Sequence, residues 1–242
     1  MNQNVLVAVP YRERPEMAFI TDTLLPLANA GASSIVANRM FNDGLSDIIY
    51  SDDLKKHYDP LHGLTVTVSK YLMNDLPHIS TARNLLGKAC LSRNAEWIYW
   101  LDADMVQQYP KDPVVALRML IDTAIRENVD MVSGMYLSKK DRRLCAYMWD
   151  PEVTQRSIPK RVVPPSGCLV DAVGFGCLLM STRVLRRISY PWFVSDSDLD
   201  YGEDTGFCRR AGDVGLKIWL HGEVCFSHVG LQSLSVLEDE RE

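Results

Sequence analysis

The sequence predicts an α/β protein: a mostly parallel central sheet flanked by helices, with an irregular insertion in its second half. Three observations carry that expectation. Short runs such as Val5–Val9 and Trp97–Leu101 are apolar at every position, as strands covered on both faces are. Segments with apolar residues at helical spacing alternate with such runs. One run ends abruptly in Asp102-Ala103-Asp104, at a strand tip, where open α/β sheets place their ligands.

Taken in order, Val5–Val9 is the first strand, closed by Pro10, with Tyr11-Arg12-Glu13-Arg14 at its carboxyl end. Pro15 opens a helix with Met17, Ile20, Leu24 and Leu27 in step, which Pro26 bends or ends. Ser34–Ala37 and the β-prone Leu64–Val68 are further strands, and the polar stretch Asn42–Gly63 between them is loop or short helix. Ser80 or Thr81 caps a helix with Ala82, Leu85, Leu86 and Ala89 on one face and Arg83, Asn84 and Lys88 elsewhere on its surface. After the strand ending at Asp102, Asp112-Pro113 starts a helix with the stripe Val114, Leu117, Ile121, Ala124 and Ile125. Asp130–Tyr136 reads as another strand. Alternating strands and helices in this order imply helices on both faces of the sheet.

The character then changes. Lys139–Arg143 is charged, and Pro159, Lys160, Arg161, Pro164 and Pro165 mark an irregular connection. Cys168–Met180 is apolar, interrupted by Gly174 and Gly176. Ser181-Thr182 caps a short helix through Ile188, and Pro191-Trp192-Phe193 leads into an acidic loop. That loop, Asp196–Asp200, begins like a calcium loop but carries Tyr201 and Phe207 where such loops need Gly and Glu, so it reads as an ordinary acidic loop. Gly202-Glu203-Asp204 opens a helix ending near Gly212 or Gly215. Leu216–Leu220 is a late strand, and Val224-Cys225-Phe226 leads to His228.

The 242 residues, 47% hydrophobic and 24% charged, fit a single globular domain. We divide it into a nucleotide-binding half over about 1–136, an acceptor-side half over about 137–230 and a charged tail over 231–242. A net charge of -5, from 26 basic and 31 acidic residues, argues against a general nucleic-acid binder. No apolar run approaches the length of a membrane span, and Met1–Asn4 does not begin a leader, so a soluble cytoplasmic protein is expected. The six cysteines are scattered with no C-x-x-C pair, which favours reduced, buried thiols.

The chemistry starts from Asp102 and Asp104. At i and i+2 on a strand, both carboxylates face one ligand, and two hard oxygen anions suit a divalent cation. His228, far away in sequence, is a candidate third ligand; an imidazole beside two carboxylates tilts the preference from Mg2+ toward Mn2+. Glu203 and Asp204 have two readings: acids complement a helix N-terminus, and a carboxylate near a metal and a hydroxyl serves as a general base.

Together these residues resemble the glycosyltransferases of the GT-A fold, a Rossmann-like architecture, nearest to the family-2-like nucleotide-sugar enzymes. The matching pieces are Val5–Pro10, Ala82-Arg83-Asn84, Trp97–Asp104, Gly174-Phe175-Gly176, Gly202–Cys208, Gly215–Trp219 and His228-Val229-Gly230. The resemblance implies metal-dependent transfer of a sugar from a nucleoside-diphosphate sugar to a glycan, protein or small-molecule acceptor. It implies that Asp102, Asp104 and His228 hold the metal, and that Pro10, Tyr11, Arg12, Arg83 and the Asp102-Ala103-Asp104 segment bind the nucleotide. Gly174 and Gly176 would admit close approach of the donor sugar. Asp204 would be the base, giving inversion, and Glu203 would bind the acceptor. A retaining transferase, a nucleotidyltransferase and a non-catalytic nucleotide-sugar-binding module are the rival readings. Trp149, Trp192 and Phe193 read as acceptor-stacking or core residues, with core favoured; Lys139–Arg143 reads as a solvated loop or a contact for a phosphate-bearing acceptor.

Overall fold

The computed structural model describes residues 5–11, 20–24, 26–27, 34–39, 79–92, 94–150, 157–159, 162–194 and 202–229. The expected strand Leu64–Val68, the stretch Asn42–Gly63, the start of the helix at Pro15, Arg12, the acidic loop Asp196–Asp200, Gly230 and the tail lie outside the described residues.

The strands are β1 (Val5–Tyr11), β2 (Ser34–Arg39), β3 (Trp97–Leu101), β4 (Met105–Tyr109), β5 (Met131–Met135), β6 (Ala146–Trp149), β7 (Ser157–Pro159), β8 (Cys168–Val170), β9 (Ala172–Val173), β10 (Cys177–Ser181) and β11 (Ile218–His228). The α-helices are α1 (Ile79–Ser92), α2 (Pro113–Arg126), α3 (Arg183–Arg187) and α4 (Glu203–Asp213). The main sheet runs β2-β1-β3-β10-β5-β11-β4, with β8 also on β11. β1 pairs parallel with β2 and β3, and β5 with β11. β10 lies antiparallel between β3 and β5, so five of the eight strands point the same way. The expected mostly parallel sheet is therefore present, with β10, β8 and the edge strand β4 reversed.

Strand alternation sorts the core into two layers. Leu6, Ala8, Ile98, Trp100, Leu178 and Met180 face one side, covered by Leu86 of α1, Leu185 of α3 and Phe207 of α4. Val5, Val7, Val9, Tyr99, Leu101 and Leu179 face the other, covered by Ala116, Leu117, Leu120 and Ala124 of α2. Being covered twice is why these strands read as unbroken apolar runs.

Several expectations are refined. β1 continues through Pro10 to Tyr11. In the first expected helix, the described parts are a π-helical turn, Ile20–Leu24, and the helical residues 26–27. There Thr23 Oγ1 donates to Met105 O at 3.3 Å and accepts from Gln107 N at 3.3 Å, tying the turn to β4. Asp112 does cap α2, accepting from Val114 N at 2.8 Å. Its buried face, however, is Ala116, Leu117, Leu120, Thr123 and Ala124, and Ile125 points outward at 56% exposure. Thr182 stands at the start of α3 without capping it; its Oγ1 donates instead to Ala95 O at 2.7 Å. The two late strand pieces are one strand, β11, with an irregularity between Leu220 and Cys225. None of the six cysteines is in a disulfide.

The insertion forms a small sheet, β7-β6-β9, beside the main one. Among the described residues no helix is long and apolar enough to cross a membrane.

Candidate active site

β3 ends at Leu101, and the chain turns at once: Met105 N donates to Asp102 O at 3.1 Å, and β4 begins. Asp102 and Asp104 therefore lie in a tight turn, and the strand rule that would point both at one ligand does not apply. Both side chains are half-buried, and each pairs with a different cation. The turn crosses toward β11, where His228 is in register with Met105 and Val229 N donates to Asp104 O at 2.7 Å.

Asp102 meets Arg83. This arginine, 2% exposed, projects from α1 and bonds two carboxylates: Asp102 Oδ1 at 3.2 Å and Glu203 Oε1. Its guanidinium also lies over the Phe175 ring, 5.2 Å from the centroid. Burial works against the charge on Arg83, but Asp102, Glu203 and Asp204 outweigh it and hold its pKa above the usual value. Burial pushes Asp102 above the usual carboxylate range, with Arg83 opposing. The next residue, Asn84, clamps the chain opposite: Nδ2 donates to Phe193 O at 2.6 Å, and Oδ1 accepts from Trp192 N at 2.9 Å and Phe193 N at 3.1 Å. Trp192 and Phe193 are thereby core residues, 6% and 2% exposed.

Asp104 meets Lys139, whose Nζ donates to Asp104 Oδ2. His228 packs its ring edge-on to Tyr136, centroids 5.5 Å apart, and hydrogen-bonds the backbone of Leu137. Its Nδ1 is buried with no partner. Burial lowers its pKa, which favours the neutral ring. Among the described residues no group of three His, Cys, Asp or Glu side chains stands close enough to hold a metal ion.

Asp204 stands in the first turn of α4, with Gly202 before it. Thr205 N donates to its Oδ1 at 2.7 Å. Burial, then the neighbouring Glu203 carboxylate, raise its pKa to about 6, against the pull of Arg83. Glu203 itself bonds Arg83 through Oε1 and is 16% exposed.

Tyr136 is the residue that the sequence did not single out. It follows β5 directly, 5% exposed. Its hydroxyl accepts from Gly176 N at 3.1 Å and bonds the Cys145 side chain. A Cβ on Gly174 would collide with that hydroxyl, and one on Gly176 would stand 2.9 Å from Tyr136 Cζ. The two glycines thus admit a tyrosine. Asp204 Oδ2 lies on the same side, 3.5 Å from where a Gly174 Cβ would be. The clue available in the sequence was position: Tyr136 sits at a strand tip, as Asp102 does.

The candidate residues therefore divide. Asp102, Glu203 and Asp204 gather around Arg83; Asp104 and His228 lie on the neighbouring turn and strand; Gly174 and Gly176 flank Tyr136. Pro10 is level with Asp102, since Ala8 registers with Trp100 on adjacent parallel strands, and Tyr11 follows it. Ala103 is half-buried in the turn. Lys139–Arg143 is an exposed turn, as expected, but Lys139 reaches the site.

No family model matches the sequence, and no curated protein is significantly similar to it. Solved structures are similar in fold. A197 from STIV superposes with a TM-score of 0.57 at 15% identity, over 93% of this chain and 85% of that one. GalNAc-T7, solved with UDP, GalNAc and Mn2+, gives 0.65 at 11% identity, over 93% of this chain and 44% of that one. Residues 1–349 of S. aureus TarS give 0.57 at 16% identity, over 93% and 60%. The chain thus spans less than two thirds of the latter two. At such identities the likeness is one of architecture, and that architecture is the GT-A glycosyltransferase fold.

Proposed function

We propose that the chain is a glycosyltransferase that moves a sugar from a nucleoside-diphosphate sugar to an acceptor hydroxyl. The observation that carries this reading is the Arg83 cluster. One buried guanidinium bonds Asp102, in the turn after β3, and Glu203, at the start of α4 beside Asp204. Two acidic motifs about a hundred residues apart are thereby brought to one place. The fold supports the same reading, and GalNAc-T7 binds UDP, GalNAc and Mn2+ on a similar framework.

In this reading Pro10, Tyr11, Arg12 and the Asp102-Ala103-Asp104 turn border the nucleotide. The donor set suits a divalent ion in its chemistry: a carboxylate on one side, and a neutral imidazole with a buried, unpartnered Nδ1 on the adjacent strand. Mn2+ or Mg2+ would be held by Asp104 and His228, with Asp102, which Arg83 already neutralises, alongside. Such an ion would offset the negative charge that builds on the departing nucleoside diphosphate. Asp204 takes the proton from the acceptor hydroxyl as its oxygen attacks the anomeric carbon from the face opposite the leaving group, which inverts the configuration. A base with a pKa near 6 is largely ionised at neutral pH yet still basic enough for that transfer. Glu203 positions Arg83, and Gly174 and Gly176 admit the Tyr136 side chain beside Asp204.

The test is to incubate the chain with Mn2+ and a panel of nucleotide sugars, following release of the nucleoside diphosphate. One donor is expected to turn over, slowly with water and faster with its acceptor. Asp204→Asn should keep nucleotide binding and lose about 10²–10⁴-fold in transfer. Wild-type rates in that variant would remove Asp204 from the base role. Binding without turnover of any donor would favour a non-catalytic nucleotide-sugar-binding module.

A further inference from the structure

The turn that carries Lys139 is fixed by its own backbone. Ser138 N donates to Arg143 O at 2.8 Å, Arg142 N donates to Ser138 O at 3.0 Å, and Leu137 and Leu144 bridge beneath it. The fold therefore sets where the Lys139 stem begins, while its side chain is 49% exposed. The ammonium bonds Asp104 Oδ2, and its charge is felt at His228. A protein cation thus rests on one of the two residues assigned above to a divalent ion. Lys140 carries the same charge one residue on, but Asp104 is bonded by Lys139.

We propose that Lys139 is an exchange cation: it holds Asp104 until a divalent ion displaces it, and then turns to the diphosphate that binds with the ion. This rests on the reading of Asp104 and His228 as metal ligands. A monovalent and a divalent cation cannot share one carboxylate without repulsion, and the doubly charged ion interacts more strongly with it. An ion pair open to solvent is weak, so it yields readily. Lysine suits such a move, being a point charge on a flexible stem with no fixed fork geometry to lose. Once displaced, the ammonium stays tethered by the closed Ser138–Arg143 turn next to the ion. The anion then nearest to it is the phosphate the ion has brought.

The exchange has a signature of two opposite signs. Full-length protein is titrated calorimetrically with Mn2+ alone, and then with UDP and with GDP at saturating Mn2+. Relative to wild type, Lys139→Ala should bind Mn2+ tighter by roughly two- to fivefold and bind the preferred nucleotide weaker by a similar factor. Lys139→Gln, which keeps the stem, should do the same, and Lys140→Ala should move both affinities far less. Unchanged or weaker Mn2+ binding in Lys139→Ala, undiminished nucleotide binding, or equal effects from Lys140→Ala would each overturn the proposal. If Mn2+ binding is lost in Asp104→Asn while Lys139→Ala matches wild type, the exchange alone fails. If no variant, wild type included, binds Mn2+, the metal reading fails with it.

Discussion

Asp204 carries a testable pH dependence. Its carboxyl group holds a proton more tightly in the folded chain, up to about pH 6, than an ordinary aspartate does. Between the usual carboxylate range and that value the folded state binds more protons than the unfolded one, so stability falls as pH rises through the window. Asp204→Asn removes this penalty, and its Tm at neutral pH should rise by roughly 2–4 °C, about 1 kcal/mol, by differential scanning fluorimetry. Transfer should move the other way: inactive when Asp204 is protonated, it should rise with pH through about 6 and then level. A flat rate profile across that range would contradict the base role. Arg83 is the shared counter-charge of two carboxylates. Arg83→Met strands the carboxylates of Asp102 and Glu203 without their counter-charge and should cost about 3–5 kcal/mol in urea unfolding. Arg83→Lys should restore little of that, because a single ammonium lacks the two separate guanidinium nitrogens that reach Glu203 and Asp102.

At the scale of elements, the site depends on short connections held by a few polar contacts. Asn84 of α1 satisfies three backbone groups of Trp192 and Phe193. Asn84→Ala should therefore destabilise by about 2–3 kcal/mol and loosen Phe193 from the Trp100 and Phe175 rings. Gly174 and Tyr136 form a pair that a double-mutant cycle can resolve. Gly174→Ala should be strongly destabilising alone. It should be much less so with Tyr136→Phe, where the nearest ring atom would be 3.1 Å away and the clashing hydroxyl gone. Simple additivity would mean that the hydroxyl does not set the glycine. These connections explain what the sequence did and did not disclose. The abrupt change from Leu101 to Asp102 is a local signal, and it marked the strand tip correctly. The orientation of the two aspartates depends on a turn that forms because β4 follows at once, and Gln107-Gln108 had concealed β4 as a strand. Gln107 is buried through bonds to Tyr109 O and Cys225 O, which no local pattern announces.

Across the whole molecule, the apolar runs disclosed which strands are covered on both faces, and the capping signal at Asp112 disclosed α2. Strand order was beyond them. A run such as Cys177–Ser181 reads the same whether its neighbours are parallel or antiparallel, and its insertion between β3 and β5 is a long-range choice. Tyr136 was hidden for the same reason, and the charged run at Lys139 was visible but not its partner: each becomes part of the site only through the fold, Tyr136 against His228 and Lys139 on Asp104. The account as a whole requires nucleotide and metal to bind as a unit at the turn after β3. The direct measurement is thermal stability of the full chain with UDP and with GDP, each with and without Mn2+. One nucleotide is expected to raise Tm only when Mn2+ is present, and Asp104→Asn or His228→Ala should abolish the rise. No rise with either nucleotide in the presence of metal, or an equal rise in those variants, would contradict the account.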